Sequence, residues 1–298
     1  MINKFLNYMQ YERNRSELTV KSYGEDLREF EAFFKSLEGG SYDWGTVDAD
    51  IVRNWMEQMM DQGNRASSVC RRLSALRSFY RFALARGLVE KDPVHSIVGP
   101  KKEKPLPQFV KESEMNELLD PVMWNLDDMK DLRARTIILL FYMTGMRLAE
   151  LVGLDDKDVD FVNSQLKVTG KRDKQRIVPF GEEVAVALHD YIGRRDEQLA
   201  EAGMQSSGAL FETETGERIS REQVRRLVQK NLARVCTLKK RSPHVLRHTF
   251  ATAMMNHDAG LESLQKLLGH ARLSTTEIYT HTTFEQLKKV YMNAHPRA

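Results

Sequence analysis

Seven polar side chains in the sequence have the chemistry for metal-free phosphoryl transfer. They are Arg147, Glu150, Lys171, His244, Arg247, His270 and Tyr279. Guanidinium groups hold the non-bridging oxygens of a phosphodiester through paired hydrogen bonds and stay charged at working pH values. A tyrosine can form a covalent phosphoryl intermediate, while a lysine or a histidine can protonate the leaving oxygen. The set therefore predicts phosphodiester cleavage through a tyrosyl linkage, with no cofactor.

The segment SPHVLRH, residues 242–248, predicts an anion site at the start of a helix. Ser242 is a favoured N-cap residue, and Pro243 is favoured at the first helical position. His244 and Arg247 are three positions apart, so they share one face of that helix. Backbone N–H groups and the helix dipole attract an anion there. A phosphate fits this pattern, although a capped helix with polar surface residues would look the same.

A zinc site is the alternative reading of this segment. His244 and His248 have a spacing that can chelate zinc. However, Val245 occupies the position where the zinc-protease motif needs a glutamate, and Arg247 would repel a cation. We therefore expect no metal site. The sequence also lacks the glycine-rich phosphate loop of P-loop kinases and ATPases.

Tyr279 lies in the segment LLGHARLSTTEIYTH, residues 267–281. Ser274 and Glu277 form a capping box, which predicts a helix beginning near Thr275. Tyr279 would then lie about one turn into that helix. Taken alone, such a tyrosine is more often a half-buried packing residue than a nucleophile.

Length and composition indicate an ordinary two-domain globular protein. The chain has 298 residues, 41% of them hydrophobic and 29% charged, and no apolar run long enough to span a bilayer. The N-terminus is too polar for a secretion signal. Two well-separated cysteines form neither a disulfide framework nor a metal motif. We therefore expect a cytoplasmic protein in a reducing setting.

The pattern of elements predicts a mainly α-helical protein with a small antiparallel β-sheet. Residues 1–97 contain four helical patterns. A proline-rich linker, residues 98–109, should separate them from a second domain, residues 110–298. The alternating stretch in the second domain predicts a hairpin that turns between Gly170 and Lys174.

Two blocks of positive charge predict contact with a phosphate backbone. Between Gln62 and Val89 there are six arginines and no acidic residue, and between Arg221 and Arg241 there are eight basic residues against one acid. Such blocks suit nucleic acid, although a solvated helix face gives the same composition. The candidates for DNA binding in the first block are Arg65, Arg71, Arg72, Arg77 and Arg81.

Five motifs together resemble the tyrosine recombinases, in particular the bacterial Xer group, which resolves chromosome dimers. The motifs are TGMRLAELVGL, TGK, SPHVLRHTFAT, LLGHARLSTTEIYTH and the terminal HPRA. The resemblance covers essentially the whole chain. It implies a four-helix DNA-binding domain and a helix-rich catalytic domain with a small sheet, closing as a C-shaped clamp on DNA.

The resemblance implies a role for each of the seven residues. Arg147 and Arg247 would clamp the scissile phosphate, and Glu150 would support the first of these arginines. Lys171, at the tip of the hairpin, would protonate the leaving oxygen.

The remaining three residues would carry the acid–base and covalent chemistry. His244 and His270 would complete the acid–base network. Tyr279 would attack the phosphorus and become linked to a 3′-phosphate.

The resemblance also implies partners and leaves other functions open. The partners would be double-stranded DNA with an inverted-repeat site and an activating DNA translocase. On DNA the protein would form either a homo-tetramer or a hetero-tetramer with a related recombinase. The final helix would dock into a neighbouring subunit, although its apolar stripe could equally pack within its own chain. A mobile-element integrase, a type IB topoisomerase-like enzyme and a DNA-binding regulator with a decayed active site are the alternatives.

Overall fold

A computed structural model describes most of the chain. The described residues are 1–37, 42–102, 108–170, 173–269 and 281–297, without the side chains of 281–285. The chain divides into two units, Met1–Pro105 and Leu106–Ala298, and each unit has its own hydrophobic core. The predicted linker is described only in part, so its bounds stay a prediction.

The first unit contains the four helices predicted for it. They are α1 (Ile2–Asn7), continued by a π-helical turn (Tyr8–Glu12), α2 (Glu17–Leu37), α3 (Ala49–Asp61) and α4 (Ala66–Ala85). Asp48 caps α3, because its side chain accepts hydrogen bonds from the backbone N–H groups of Asp50 and Ile51, each at 2.9 Å. The core between these helices is largely aromatic, with Trp55, Phe79 and Tyr80 fully buried.

The second unit is a helical domain with one small sheet. Its helices are α5 (Glu112–Leu119), α6 (Met129–Thr144), α7 (Leu148–Val152), α8 (Glu182–Glu201), α9 (Arg221–Leu232), α10 (Pro243–Asn256), α11 (Leu261–Leu268) and α12 (His281–Ala294). Its strands are β1 (Val159–Asp160), β2 (Gln165–Thr169) and β3 (Gln175–Pro179).

The sheet is antiparallel in the order β1-β2-β3, as the alternating pattern predicted. Leu166 pairs with Val178 and Val168 pairs with Arg176 across the inward face of β2 and β3. The backbone N–H of Gly170 donates to the carbonyl of Lys174 at 2.7 Å and closes the predicted turn. Residues 171 and 172 lie outside the description.

Helix α6 is the centre of the second core, and it ends at a glycine. It packs against α5, α8, α9 and α10, and eleven of its sixteen residues are buried. Gly145 then adopts the left-handed conformation, with φ of 58°. A Cβ at this position would meet the ring of Phe250 and lie 2.9 Å from Cδ2 of Leu268, so only glycine fits.

The final helix packs within its own chain. Helix α12 contacts α10, α11 and β3, and Leu287 and Tyr291 are buried there. In the described part of the chain, no helix combines the length and hydropathy needed to cross a membrane.

The packing around Gly145 yields a stability prediction. Gly145→Ala and Gly203→Ala both place a side chain in the left-handed conformation, which costs about 1 kcal/mol. An added Cβ at Gly203 meets nothing within 4 Å, whereas at Gly145 it overpacks the core at a further cost of about 1–3 kcal/mol. Thermal unfolding should therefore show a larger drop in melting temperature for Gly145→Ala than for Gly203→Ala. Equal losses would contradict the close packing.

Candidate active site

The polar site begins where α6 ends and α7 starts. Arg147 is the N-cap residue of α7, and Glu150 occupies the third helical position. The Oε2 atom of Glu150 accepts from the backbone N–H of Arg147 at 2.7 Å, and Oε1 accepts from its Nη1, also at 2.7 Å. A capping contact and an ion pair thus fix the first predicted arginine to its predicted support.

A third arginine completes the surroundings of Glu150. Nη1 and Nη2 of Arg176 donate to Oε1 and Oε2 of Glu150 at 2.8 and 2.9 Å, so each carboxylate oxygen accepts two hydrogen bonds. Burial raises the pKa of Glu150, but the hydrogen bonds and charge of Arg176, with those of Arg147, lower it to about 2. Glu150 therefore stays ionised at neutral pH although only 3% of it is exposed.

Arg247 extends from α10 towards the same region. Its Nη1 donates to the carbonyl of Gly145 and its Nη2 to the carbonyl of Leu268, each at 2.7 Å. Burial and the charge of Arg147 lower the pKa of Arg247 to about 10, and Glu150 acts in the opposite direction. The charge of Arg147 therefore adds to the effect of burial on the pKa of Arg247.

The end of α11 holds all three arginines. Three consecutive carbonyls, those of residues 267–269, each accept a hydrogen bond from a different guanidinium. The contacts are Arg176 Nε to Leu267 at 3.1 Å, Arg247 Nη2 to Leu268 at 2.7 Å, and Arg147 Nη2 to Gly269 at 3.2 Å. The last carbonyls of a helix lack intrahelical partners and carry its negative dipole end, so cations are favoured there.

His244 lies one turn before Arg247 and is exposed. Partial burial lowers the pKa of His244, and the positive charges of Arg247, Lys240 and Arg147 lower it further, as does the neighbouring His248. The two histidine rings stand edge to face, with centroids 4.6 Å apart. Ser242 caps α10 as predicted from its position, but its side chain makes no capping hydrogen bond.

The structure places four of the seven predicted residues and leaves three outside its description. Arg147, Glu150 and Arg247 converge on the end of α11, with His244 on the same helix as Arg247. Lys171, His270 and Tyr279 fall on residues that are not described, and so does the predicted capping box before Tyr279. The roles of all seven residues stay predictions.

Sequence reasoning missed Arg176. The signal was an arginine two positions before Val178 on a predicted strand, where alternation requires an inward side chain. A charged residue at an inward position needs a buried partner. That partner, Glu150, is 26 residues away, and nothing in the sequence identifies it.

The arrangement suits an anion. Three guanidinium groups lie around one carboxylate, and two of them bond to it, so the cluster keeps an excess of positive charge. Arg147 remains 44% exposed and can reach a ligand. Within the described residues, no cluster of three or more histidine, cysteine or acidic side chains could hold a metal ion.

Known proteins resemble the chain over its whole length. Residues 108–286 match the phage integrase family, and residues 2–87 match the N-terminal SAM-like domain of phage integrases. The tyrosine recombinase XerC of Chlorobaculum tepidum is 37% identical, with 100% of this chain and 94% of that protein covered. The tyrosine recombinase XerC of Staphylococcus aureus is 39% identical, with 99% and 96% covered. The chain belongs to the phage integrase family, as a Xer-like tyrosine recombinase.

Solved structures share the fold of this recombinase. The Tn1549 transposon integrase in complex with transposon right-end DNA matches with a TM-score of 0.72, 21% identity and 97% of each chain covered. The XerH recombinase bound to a palindromic difH substrate matches with a TM-score of 0.72, 20% identity, and 97% of this chain and 83% of that chain covered.

The candidate DNA-binding arginines of the first unit have different environments. Arg65 and Arg81 are exposed, and their side chains have no hydrogen-bond or ion-pair partner in the described part of the recombinase. The other three contact their own unit. Their partners are Asp26 for Arg71, Glu29 and Asn64 for Arg72, and the carbonyls of Val94 and Ile97 for Arg77. These contacts favour a folding role for Arg77, and its role on DNA stays a prediction.

The salt dependence of DNA binding can distinguish the unpaired arginines, Arg65 and Arg81, from Arg77, which bonds to its own unit. Arg65→Ala and Arg81→Ala should each weaken binding and flatten the salt slope by about 1, because each removes a free guanidinium that can contact a phosphate. Arg77→Ala should chiefly lower the melting temperature, since two backbone carbonyls lose their donor. If Arg77→Ala flattens the salt dependence of DNA binding and leaves the melting temperature unchanged, Arg77 contacts DNA and has no folding role.

Proposed function

We propose that the recombinase cuts and rejoins DNA through a covalent 3′-phosphotyrosine formed by Tyr279, with Arg147 and Arg247 holding the scissile phosphate. The supporting observation is that these two guanidinium groups donate to adjacent carbonyls, those of Gly269 and Leu268. Each has five N–H donors and uses two of them on described protein atoms, which leaves donors for phosphate oxygens. Burial is the largest cause of the lowered pKa of Arg247, and a phosphate between the two groups would offset the further contribution from Arg147.

The proposed reaction conserves the phosphodiester bond. The phenol oxygen of Tyr279 attacks phosphorus, and the 5′-oxygen of the following nucleotide leaves with a proton supplied by Lys171. The family resemblance assigns that proton to Lys171 and further acid–base roles to His244 and His270. A 5′-hydroxyl then attacks the tyrosyl phosphodiester, rejoins a strand and releases Tyr279. Because the bond is exchanged and not hydrolysed, rejoining needs no ATP.

Arg147 and Arg247 act as preorganised cations in this proposal. The transferring phosphoryl group spreads negative charge over its non-bridging oxygens, and fixed guanidinium groups stabilise that charge without reorganising. The carbonyls of residues 145 and 268 hold Arg247, while Glu150 holds Arg147. His244 favours its neutral form and can accept a proton from the attacking phenol.

We propose chromosome-dimer resolution in the cytoplasm at cell division as the cellular role. The support is the name XerC shared by full-length relatives at 36–39% identity. A tetramer on two DNA duplexes, a related partner recombinase and an activating translocase belong to the same proposal. Mobile-element integration is the second candidate, because the Tn1549 transposon integrase shares the fold.

Covalent trapping tests the nucleophile. A duplex with the cognate inverted repeat and a nick beside the cleavage position should trap the wild-type recombinase as an adduct on a denaturing gel. Tyr279→Phe should give no adduct, because it lacks the attacking oxygen. The matched control, Tyr11→Phe, changes an exposed tyrosine of the first unit and should behave as wild type. An adduct with Tyr279→Phe would refute the assignment.

The same assay tests the arginines. Arg147→Ala and Arg247→Ala should slow adduct formation by about 100- to 1000-fold, because each removes a fixed cation from the transition state. DNA affinity measured by gel shift should change little, since many other contacts hold the duplex. A loss of affinity that matches the loss of rate would assign these arginines to binding alone.

Strand exchange between two plasmids separates recombination from relaxation. Recombinant products should appear only when both plasmids carry the site, because exchange needs two aligned duplexes. Relaxation of a site-free supercoiled plasmid without exchange would indicate topoisomerase activity instead.

A further inference from the structure

Arg176 occupies a position where a strand normally carries an apolar residue. It lies on the inward face of β3 with Val178, opposite Val168 of β2, and only 8% of its side chain is exposed. Burying a guanidinium is costly unless hydrogen bonds and an opposite charge compensate for lost water. Packing alone therefore does not explain why an arginine occupies this position.

The compensation comes from two other segments of the second unit. Arg176 donates to both carboxylate oxygens of Glu150 in α7 and, through Nε, to the carbonyl of Leu267 in α11. Its side chain also lies against Gly269, where an added Cβ would be 3.2 Å from Cδ of Arg176. One side chain thus joins β3 to the start of α7 and the end of α11.

Each joined segment adjoins a residue of the proposed reaction. Glu150 holds Arg147, and Gly269 directly precedes His270. Gly170, which directly precedes Lys171, lies against Glu150, because a Cβ there would be 3.4 Å from Oε1. Arg176 therefore bonds directly to Glu150 and to the end of α11, and Gly170 is connected to it through Glu150.

We propose that Arg176 is a positioning residue for strand cleavage, acting through Glu150 and the end of α11 to hold Arg147 in place for the scissile phosphate. This inference rests on the proposed function of the same site. Arg176 need not touch DNA for this role, because its donors already contact protein atoms.

A purely structural role is the competing explanation, and Arg195 supplies the matched control. Arg195 is also buried, with 4% of its side chain exposed. It binds both carboxylate oxygens of Asp156 and donates to the carbonyls of Ala209 and Leu210. Arg195→Met thus removes a buried guanidinium that also bonds to a carboxylate and to carbonyls, but it bonds to neither Glu150 nor Arg147.

The first experiment compares cleavage with binding. Arg176→Met should slow single-turnover adduct formation by about 100-fold, since displacement of a reacting group by about 1 Å has that effect. DNA affinity should stay within a few-fold of wild type. Arg195→Met should lower the melting temperature but leave the rate of the folded protein unchanged. If Arg176→Met does not fold, Arg176→Lys decides, with an expected loss of at least about tenfold.

The pH profile is the readout that a structural role would not move. Among the described residues, the charged groups facing Glu150 are Arg147 at the N-cap of α7, Arg176 of β3 and Arg247 of α10. Removing Arg176 leaves burial unopposed by its largest compensating partner, so the pKa of Glu150 rises. As the pH drops from about 8 to 5, cleavage by Arg176→Met should then begin to fall at a higher pH than cleavage by the wild type. Arg176→Lys keeps the charge and should restore the wild-type profile without restoring the full rate.

A double substitution tests whether Arg176 acts through Glu150. Adding Arg176→Met to Glu150→Gln should cost much less than Arg176→Met alone, because the two side chains form one unit. If the two losses of cleavage rate multiply in the double variant, Arg176 does not act through Glu150. Wild-type rate and pH profile in Arg176→Met and Arg176→Lys would overturn the inference while leaving the proposed function intact. Adduct formation by Tyr279→Phe would instead refute the proposed nucleophile.

Discussion

The end of α11 is the constraint on which the site depends. Three consecutive carbonyls there cannot bond within the helix, and their partial negative charge attracts cations. Three arginines, from β3, the N-cap of α7 and α10, meet these carbonyls, so segments up to 122 residues apart must pack at one helix terminus. Gly145 and Gly269 allow the close approach, because both adopt the left-handed conformation. An added Cβ would meet the ring of Phe250 at Gly145 and the side chain of Arg176 at Gly269.

Charge balance explains how such a cluster stays folded and still attracts a ligand. Glu150 accepts four hydrogen bonds and remains ionised, which neutralises one of the three positive charges. The carbonyls solvate the guanidinium groups but contribute no full charge. The remaining excess is fixed in place before any phosphate arrives. A site of this kind stabilises developing negative charge without reorganising, which is the requirement of phosphoryl transfer without a metal ion.

The sequence indicated the elements well because local signals determine them. The four N-terminal helices, the break at Gly145 and the hairpin closed by Gly170 follow from capping, periodicity and turn chemistry. The meeting of Arg147, Glu150 and Arg247 depends on tertiary packing, and only the family resemblance supplied it. Arg176 escaped detection because its partner is remote in sequence. The bonds of Arg77 to the carbonyls of Val94 and Ile97 were missed because composition alone assigned its block to DNA.

The end of the chain belongs to the same core as the site. His295 stacks on Phe250 of α10 and on Tyr291, and its Nε2 donates to the carbonyl of Tyr142 in α6 at 3.2 Å. Its Nδ1 accepts from the backbone N–H of Arg297, so both ring nitrogens are used by the neutral form, and burial lowers its pKa to about 4. Phe250 is also the ring that excludes a side chain from Gly145. His295 directly follows α12 and contacts both α6 and α10. Because Phe250 and Arg247 lie on the same helix, the packing of His295 stabilises the α6–α10 contact next to Arg247.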